Sequence, residues 1–162
     1  MSNIINKIKK IFNNKIDEQI VIDDGTILLR EKSKIEPCDF TLNVITYLFN
    51  IELVETNEII GRCELRLGMN DDLYYLGQVG YSIRKQYRGN NYAYLATLLL
   101  FKVAKDNFSM NDLYITCSPD NIPSYKTLLK LDGELIEKVD VPEEHFLFGL
   151  NEKVKYIFKY KL

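Results

Sequence analysis

Three cationic side chains and a glycine lie together just ahead of a long apolar segment. Residues 83–101 read IRKQYRGNNYAYLATLLLF, and the first half holds Arg84, Lys85, Arg88 and Gly89. The first turn of a helix has unpaired N–H groups and a partial positive charge, and both favour phosphate. Gly89 tolerates a positive φ and lets a ligand approach the backbone. The pattern predicts a phosphate cradle over residues 88–93; a basic turn without a ligand is the alternative.

Composition and missing motifs narrow the chemistry. No GxxxxGK[ST] or GxGxxG motif occurs, which disfavours an ATPase or a dinucleotide enzyme. The net charge of −2 gives no electrostatic support to nucleic-acid binding. No apolar run approaches the ~20 residues of a membrane span. Any anion site must therefore be local.

The cysteines and the single histidine suggest neither a disulfide framework nor a metal site. Cys38, Cys63 and Cys117 are far apart in sequence, no CxxC pair occurs, and His145 is the only histidine. A zinc site needs several such ligands at short spacing. We therefore expect reduced thiols in a cytoplasmic protein that holds no metal.

Alternating apolar and polar residues predict strands before the cradle. A hairpin is expected around Asp24-Gly25, two longer strands on either side of the turn ETNE, and another strand over residues 73–84. The second of the longer strands has an apolar and a charged face. The apolar face holds Cys63, Leu65 and Leu67, and the charged face holds Arg62, Glu64 and Arg66.

The remaining segments alternate between helix and strand. The helix after the cradle has one broad apolar face. Residues 112–118 predict a buried strand, and residues 119–131 a helix with Asp120 or Asn121 as its cap and Pro123 in its first turn. Two strands, over 134–141 and 153–162, follow on either side of a polar loop. The order predicts an α/β (α+β) fold with a mixed, mostly antiparallel sheet.

Residues 1–19 form a separate N-terminal segment in this interpretation. Isoleucines at helical spacing alternate with lysines, which predicts an amphipathic helix or extension. Such a helix packs on the body of the protein, lies on a membrane surface or binds a partner. Residues 20–162 then form the domain itself.

The cradle and a second motif together resemble the GNAT superfamily of acetyl-CoA-dependent N-acetyltransferases. The family's Gln/Arg-x-x-Gly-x-Gly/Ala signature is matched by Gln86-Tyr87-Arg88-Gly89-Asn90-Asn91, followed by Tyr92-Ala93. Asn91 departs from the last position, but asparagine tolerates left-handed backbone. The family's Asn-x-x-Ser/Ala helix start is matched by Asn121 and Ser124. The resemblance covers roughly residues 25–162.

The resemblance implies acetyl-CoA as co-substrate, and a central pair of parallel strands that splay apart, with helices on both faces of the sheet. The pantetheine arm would enter the gap and pair with the strand before the cradle, opposite a strand over residues 113–117. An N–H group there would polarise the thioester carbonyl. The co-substrate-binding residues would be Tyr81, Ser82, Ile83, Gln86, Arg88, Gly89, Asn90, Asn91, Tyr92, Ala93, Asn121 and Ser124. For Asn121, a plain helix cap is the alternative.

Proton transfer has no obvious acid in this sequence. Many family members use a tyrosine late in the second helix, and the matching residue here is Leu128. Tyr125, one turn earlier, is the predicted substitute, and a core tyrosine is the alternative. Glu64 is the predicted base, acting through water, and a surface ion pair with a flanking arginine is the alternative.

Other reactive side chains have simpler interpretations. Tyr74, Tyr75 and Tyr81 either line an acceptor pocket or pack on the sheet. Cys117 is more typical of a small core residue than of a nucleophile, because no histidine lies nearby in sequence to activate it. His145 lies in the late polar loop and is typical of a surface residue.

The predicted function is N-acetyl transfer from acetyl-CoA to a primary amine by direct attack in a ternary complex. The acceptor is a small molecule or a peptide, and a homodimer is possible through exposed late strands. Asn91 and Leu128 favour the alternative, a non-catalytic acyl-CoA-binding or protein-interaction module on the same fold.

Overall fold

A computed structural model describes residues 19–38 and 42–162. The predicted N-terminal helix therefore lies, except for Gln19, outside the described residues. The strands are β1 (Val21–Asp23), β2 (Ile27–Ile35), β3 (Thr46–Leu53), β4 (Ile59–Arg66), β5 (Val79–Ile83), β6 (Asp112–Cys117), β7 (Glu134–Asp140) and β8 (Val154–Lys161). The helices are α1 (Asp71–Leu76), α2 (Tyr92–Phe108), α3 (Ile122–Lys130) and α4 (Phe146–Gly149), with a 3₁₀ turn at Lys85–Tyr87.

The described strands form two antiparallel sheets. One has the order β1-β2-β3-β4-β5 and the other the order β6-β8-β7. The predicted hairpin is present, with Asp23 opposite Leu28 and Gly25 at a φ of 84°. The predicted mixed α+β fold is confirmed, whereas the parallel direction of β5 and β6 stays a prediction.

Gln78 joins the two sheets where they come closest. Its backbone N–H donates to the Tyr114 carbonyl at 2.7 Å, and its side-chain oxygen accepts from the Tyr114 N–H at 2.9 Å. Gln78 is 4% exposed, and its amide nitrogen donates to the Gly68 carbonyl. After this point β5 is the edge strand of its sheet and has no ladder with β6. A gap therefore opens between β5 and β6 in this part of the chain.

The core fills the space between the sheets and α2, which contacts β5, β2 and α3. Burial of apolar area on one helix face and on the facing strands is the main force that holds these layers together. Among the largest fully buried side chains are Phe49, Phe158, Ile27, Leu29, Ile51, Leu65, Leu100, Leu113, Ile115 and Leu128. Within the described residues, no helix is long and apolar enough to cross a bilayer.

The strand predicted over residues 73–84 is wrong in its first half. Residues 71–76 form α1, and only Val79–Ile83 is a strand. The Asn70 side chain caps α1 by accepting from the Leu73 N–H at 2.9 Å, and Gly77 ends it at a φ of 84°. A cap at each end outweighs the strand preference of two adjacent tyrosines. The late loop likewise contains the short helix α4.

The contact of β4 with β5 predicts a stability effect at Gly61. A methyl group on Gly61 would overlap the Ser82 carbonyl oxygen, which belongs to the backbone. We expect Gly61→Ala to lower the free energy of unfolding by about 1–3 kcal/mol, because overpacking shifts the strand. Urea unfolding measures the change.

Gly149→Ala is the matched control, because no atom lies within 4 Å of a side chain placed there. Its free energy of unfolding should stay within about 0.5 kcal/mol of the wild type. Equal stabilities for the two variants would contradict the tight strand contact.

Candidate active site

A cleft of about 710 Å³ lies between β5, the cradle and α3. It brings together every predicted co-substrate-binding residue except Gln86 and Asn90. The lining residues are Tyr81, Ser82, Ile83, Tyr87, Arg88, Gly89, Asn91, Tyr92, Ala93, Tyr94, Asn121, Pro123, Ser124, Lys126, Thr127 and Lys130. We call this cleft the cradle cleft.

Local hydrogen bonds fix the turn that leads into α2. The Arg88 Nε donates to the Ile83 carbonyl at 3.0 Å and ties the turn to the end of β5. The Asn90 side chain donates to the Tyr87 carbonyl at 3.1 Å, so it shapes the turn instead of lining the cleft. Gly89 has a φ of 88°, in the left-handed region that favours glycine, and the space above its Cα is open.

Asn91 takes the left-handed conformation, with a φ of 60°, and begins α2. Its carbonyl accepts the first helical bond, from Leu95 at 3.1 Å. The N–H groups of Tyr92 and Ala93 lie ahead of that bond, so they have no partner within the helix. Asparagine at the last signature position therefore preserves the turn, and the helix start presents its amides on the cleft side.

Lys130 crosses the cradle cleft from the end of α3. Its ammonium donates to the Asn91 Oδ1 at 3.2 Å and lies 4.3 Å from the centre of the Tyr94 ring. Lys126, one turn earlier on α3, lines the same cleft. The two lysines place positive charge opposite the cradle.

The free edge of β5 carries backbone donors into the gap. Arg84 N–H bonds to the Ile60 carbonyl, and Arg66 N–H bonds to the Gln78 carbonyl. The backbone N–H and C=O groups of the even-numbered residues of β5 therefore point toward β4. Because these directions alternate along a strand, the N–H groups of Tyr81 and Ile83 point toward the gap. This is the edge at which the sequence predicts pairing with the pantetheine arm.

The start of α3 is capped as predicted. The Asn121 side chain accepts from the Ser124 N–H at 3.2 Å, and both residues line the cradle cleft. The cap and a ligand contact are therefore compatible.

A second cleft, of about 470 Å³, opens along one face of β2, β3, β4 and β5. Tyr81 and Ser82 line both clefts, so the two meet at β5. Lys32, Asn50, Arg62, Glu64 and Gly80 contribute further to this second cleft, which we call the sheet cleft.

Glu64 lies in the sheet cleft with its carboxylate over Gly80. A methyl group on Gly80 would overlap the Glu64 carboxylate, so the glycine makes room for this side chain. The carboxylate pairs with Arg66, whose NH1 also donates to the Gly77 carbonyl at 2.9 Å. Arg66 is buried, and burial lowers its pKa. The ion pair and a catalytic role for Glu64 are compatible, because the carboxylate still lines the cleft.

Leu128 and Tyr125, the two positions considered for the acid, lie outside both clefts. Leu128 is fully buried, and its carbonyl accepts from the Tyr160 hydroxyl at 2.9 Å. The Tyr125 ring packs against Tyr156 and Phe158, with centroids 5.0 and 6.0 Å away. The acid role of Tyr125 stays a prediction.

Cys117, Tyr74 and Tyr75 do not line either cleft. Cys117 is buried in the core, and burial raises the pKa of its thiol to about 11. Tyr74 bonds to Glu137, which raises the pKa of its hydroxyl to about 12. Tyr75 packs edge-on against His145. Of the three tyrosines considered for an acceptor pocket, Tyr81 alone lines a cleft described above.

The expectation of a surface histidine is wrong. His145 is 8% exposed, and its Nδ1 accepts from the Leu147 N–H at 3.2 Å. Its Nε2 lies 3.3 Å from the Asp72 Oδ1, so the ring joins α4 to α1. Within the described residues, no three histidine, cysteine or acidic side chains form a metal-binding group.

The sequence interpretation missed the α3 residues that complete the cradle cleft. Lys126, Thr127 and Lys130 follow Ser124 within two turns. The i, i+4 spacing of the lysines places them on one side of α3, and that spacing was the available signal. Only the packing of α3 against α2 shows that this side faces the cradle.

The comparisons with known proteins point to one family. A family model for the acetyltransferase (GNAT) domain matches residues 30–134. A GNAT acetyltransferase structure from Bacillus anthracis has a TM-score of 0.56 and 19% identity, and the match covers 70% of this chain and 65% of that one. The chain thus spans less than two thirds of that protein. A search of curated proteins gives no match.

Two further solved structures share the fold. The microcin self-immunity acetyltransferase MccE, in complex with acetyl-CoA and AMP, has a TM-score of 0.55 and 19% identity over 72% of this chain and 61% of its own. RimL, a ribosomal alpha-N-protein acetyltransferase, has a TM-score of 0.61 and 10% identity over 89% of this chain and 95% of its own. These likenesses concern the fold.

The chain belongs to the GNAT acetyltransferase family. The matched residues include the cradle and the start of α3, so the family match confirms the resemblance that the two motifs predict. The family's co-substrate is acetyl-CoA.

The position of Lys130 predicts an effect on CoA binding. We expect Lys130→Ala to weaken the affinity for CoA about fivefold at low salt, because an ammonium opposite the cradle attracts phosphate from a partly exposed position. The loss should shrink as salt screens the charge. Isothermal titration at two ionic strengths measures both effects.

Lys102→Ala, on the exposed side of α2, is the matched control and should leave the affinity unchanged. A titration of both proteins with dephospho-CoA shows which phosphate Lys130 contacts. Lys130→Ala should bind dephospho-CoA more weakly than the wild type does only if Lys130 contacts the diphosphate. Equal affinities of Lys130→Ala and the wild type for CoA would contradict the prediction.

Proposed function

We propose that the chain is an N-acetyltransferase that moves an acetyl group from acetyl-CoA to a primary amine. One observation carries the proposal: the cradle cleft and the sheet cleft meet at the free edge of β5, at Tyr81 and Ser82. A donor in the first cleft and an acceptor in the second would then reach each other at backbone N–H groups that have no partner strand.

The residues of the cradle cleft fit CoA. The N–H groups at the start of α2 and the lysines of α3 suit a diphosphate. Nothing lies within 4 Å of the position that a Gly89 side chain would occupy, so a phosphate can approach the backbone there. The gap beside β5 suits an extended arm with amide groups, since an edge strand offers donors and acceptors along its length.

Acetyl-CoA supplies an acetyl group activated as a thioester. The chain's contribution is largely positional, because holding two reactants in line removes most of the entropic barrier. The Tyr81 N–H, which faces the gap, donates to the carbonyl oxygen as negative charge develops on it. Glu64 takes the proton that the amine loses, through a water molecule in the sheet cleft.

Direct attack in a ternary complex suits this site better than a covalent enzyme intermediate. Cys63 lines the sheet cleft and Cys117 lies on β6, and burial raises the pKa of both thiols, which keeps them neutral. A neutral thiol is a poor nucleophile. The two clefts also allow both substrates to be present together.

The acceptor is an amine of a small molecule or a peptide. The sheet cleft is open along four strands, which leaves room for either. The named activity of RimL, alpha-N-acetylation of a ribosomal protein, supports testing protein N-termini first. We do not expect nucleic acid as a partner.

Two expectations about the setting of the enzyme stay predictions. The first is a cytoplasmic location. The second is a homodimer, which is supported by β7, an edge strand of the second sheet with Leu135 and Ile136 exposed. Edge strands with apolar side chains favour pairing with a second chain.

The alternative is a module that binds acyl-CoA or a protein partner without turnover. The burial of Leu128 favours it, because that position offers no hydroxyl to the leaving thiol. Titration with acetyl-CoA and a thiol-release assay over small amines, aminoglycosides, amino acids and peptides separate the two functions. Binding with amine-dependent thiol release supports the enzyme; binding without release under any condition favours the module, and no binding removes both CoA-dependent functions.

The position of Glu64 predicts an effect on turnover. Glu64→Gln keeps an oxygen for Arg66 but cannot take a proton, so we expect kcat to fall about a hundredfold with little change in acetyl-CoA affinity. Glu55→Gln, in the turn between β3 and β4, is the control and should leave kcat unchanged. A Glu64→Gln enzyme with wild-type kcat would rule out this base.

A further inference from the structure

We propose that the Tyr81 hydroxyl is the proton donor to the departing CoA sulfur. The inference rests on the proposed acetyl transfer. Leu128 cannot donate a proton, so the acid is assigned to a residue on a strand instead of a helix. Tyr81 lies on β5, and its side chain reaches α3, where the hydroxyl is 3.0 Å from the Ser124 Oγ. The phenol therefore bridges the strand and the helix that border the cradle cleft.

Tyr81 is the described tyrosine that lines both clefts. The sulfur must lie where the donor and acceptor sites meet, because the bond from carbon to sulfur breaks as the bond from nitrogen to carbon forms. The Tyr81 side chain leaves β5 on the face opposite Glu64, and its hydroxyl meets Ser124, which also lines the cradle cleft. The acid and the base therefore lie on opposite sides of the strand edge where the sulfur must lie. The position of the side chain thus carries the assignment.

The other tyrosine hydroxyls near the cradle cleft have different positions or partners. Tyr87 donates to Glu58. Tyr160 donates to the carbonyl of Leu128 and is buried. Tyr92 and Tyr94 follow the cradle on α2, at the phosphate end of the cleft.

The environment of the phenol keeps it protonated until it is needed. Burial is the largest influence and raises the pKa of Tyr81, and hydrogen bonds with Ser124 and Thr127 partly oppose that rise. At neutral pH the hydroxyl therefore carries its proton. Ser124 orients it and can pass a proton back from solvent.

The step balances without any further reagent. The amine nitrogen forms a bond to the acetyl carbon, and the bond from that carbon to sulfur breaks with the electron pair remaining on sulfur. The Tyr81 hydroxyl gives its proton to the sulfur. The proton that the nitrogen loses goes through water to Glu64 and solvent, and the phenolate regains a proton from solvent through Ser124.

Tyr81→Phe tests the assignment, with the amine that gives the fastest thiol release for the wild type. We expect kcat to fall about a hundredfold, the usual size of a lost general acid. The Kd for acetyl-CoA from titration should stay within about threefold, since the backbone of β5 is retained. Ser124→Ala should give a smaller loss of kcat, because it removes the partner but leaves the donor.

Tyr114→Phe is the matched control, because Tyr114 lies on β6 outside both clefts and should keep wild-type kcat. Thermal unfolding checks that each variant is folded, and should Tyr81→Phe not fold, the Ser124→Ala result decides. A folded Tyr81→Phe enzyme with kcat within threefold of the wild type overturns the assignment and leaves the acetyltransferase proposal standing. A wild type that binds acetyl-CoA but releases no thiol with any amine overturns the proposed function, and the assignment with it.

Discussion

The two sheets meet at Gln78 and separate beyond it, and this is the constraint on which the rest of the structure depends. The backbone and the side chain of Gln78 both bond to Tyr114, so one residue holds β5 and β6 together at their closest point. Beyond it, β5 has a free edge. An unpaired edge in the middle of a protein is costly unless something satisfies its polar groups. In the proposed function the free edge pairs with the co-substrate, so the break in the ladder and the proposed binding site would be one feature.

The cradle, α3 and the sheet cleft are all arranged around that free edge. Arg88 ties the cradle to the end of β5, and Ser124 joins α3 to Tyr81. Glu64 lies on the neighbouring strand, in the place that Gly80 leaves open. Each contact fixes a chemical group relative to β5 and not to a distant part of the chain. In the proposed reaction, this shared position would let two clefts formed by different elements act on one bond, and small shifts of β5 should affect both.

The departures from the family pattern have different consequences. Asn91 keeps the left-handed turn that the signature needs, because its short polar side chain tolerates that conformation, and its amide oxygen is available to Lys130. Leu128, in contrast, cannot take the role of the family's tyrosine, because it is buried in the core and lacks a polar group. The Tyr81 hydroxyl lies 3.0 Å from the Ser124 Oγ, one turn before Leu128 on α3. In a close-packed fold, a missing group can be supplied only from a neighbouring position whose side chain already points into the gap.

The sequence by itself determined the local features. The hairpin at Asp24-Gly25, the cradle ahead of α2, the cap at Asn121 and the family follow from turn chemistry and periodicity, which act between residues close in the chain. Helix α1 was missed because two tyrosines favour a strand while the caps at Asn70 and Gly77 favour a helix. Tertiary structure alone decided which side chains share a cleft, such as Lys130 facing Asn91 and Tyr81 lining both clefts. It also decided that Tyr125 packs on Tyr156 and that His145 is buried. These contacts join residues far apart in sequence, and the packing of whole strands and helices, which no local pattern encodes, fixes their distances.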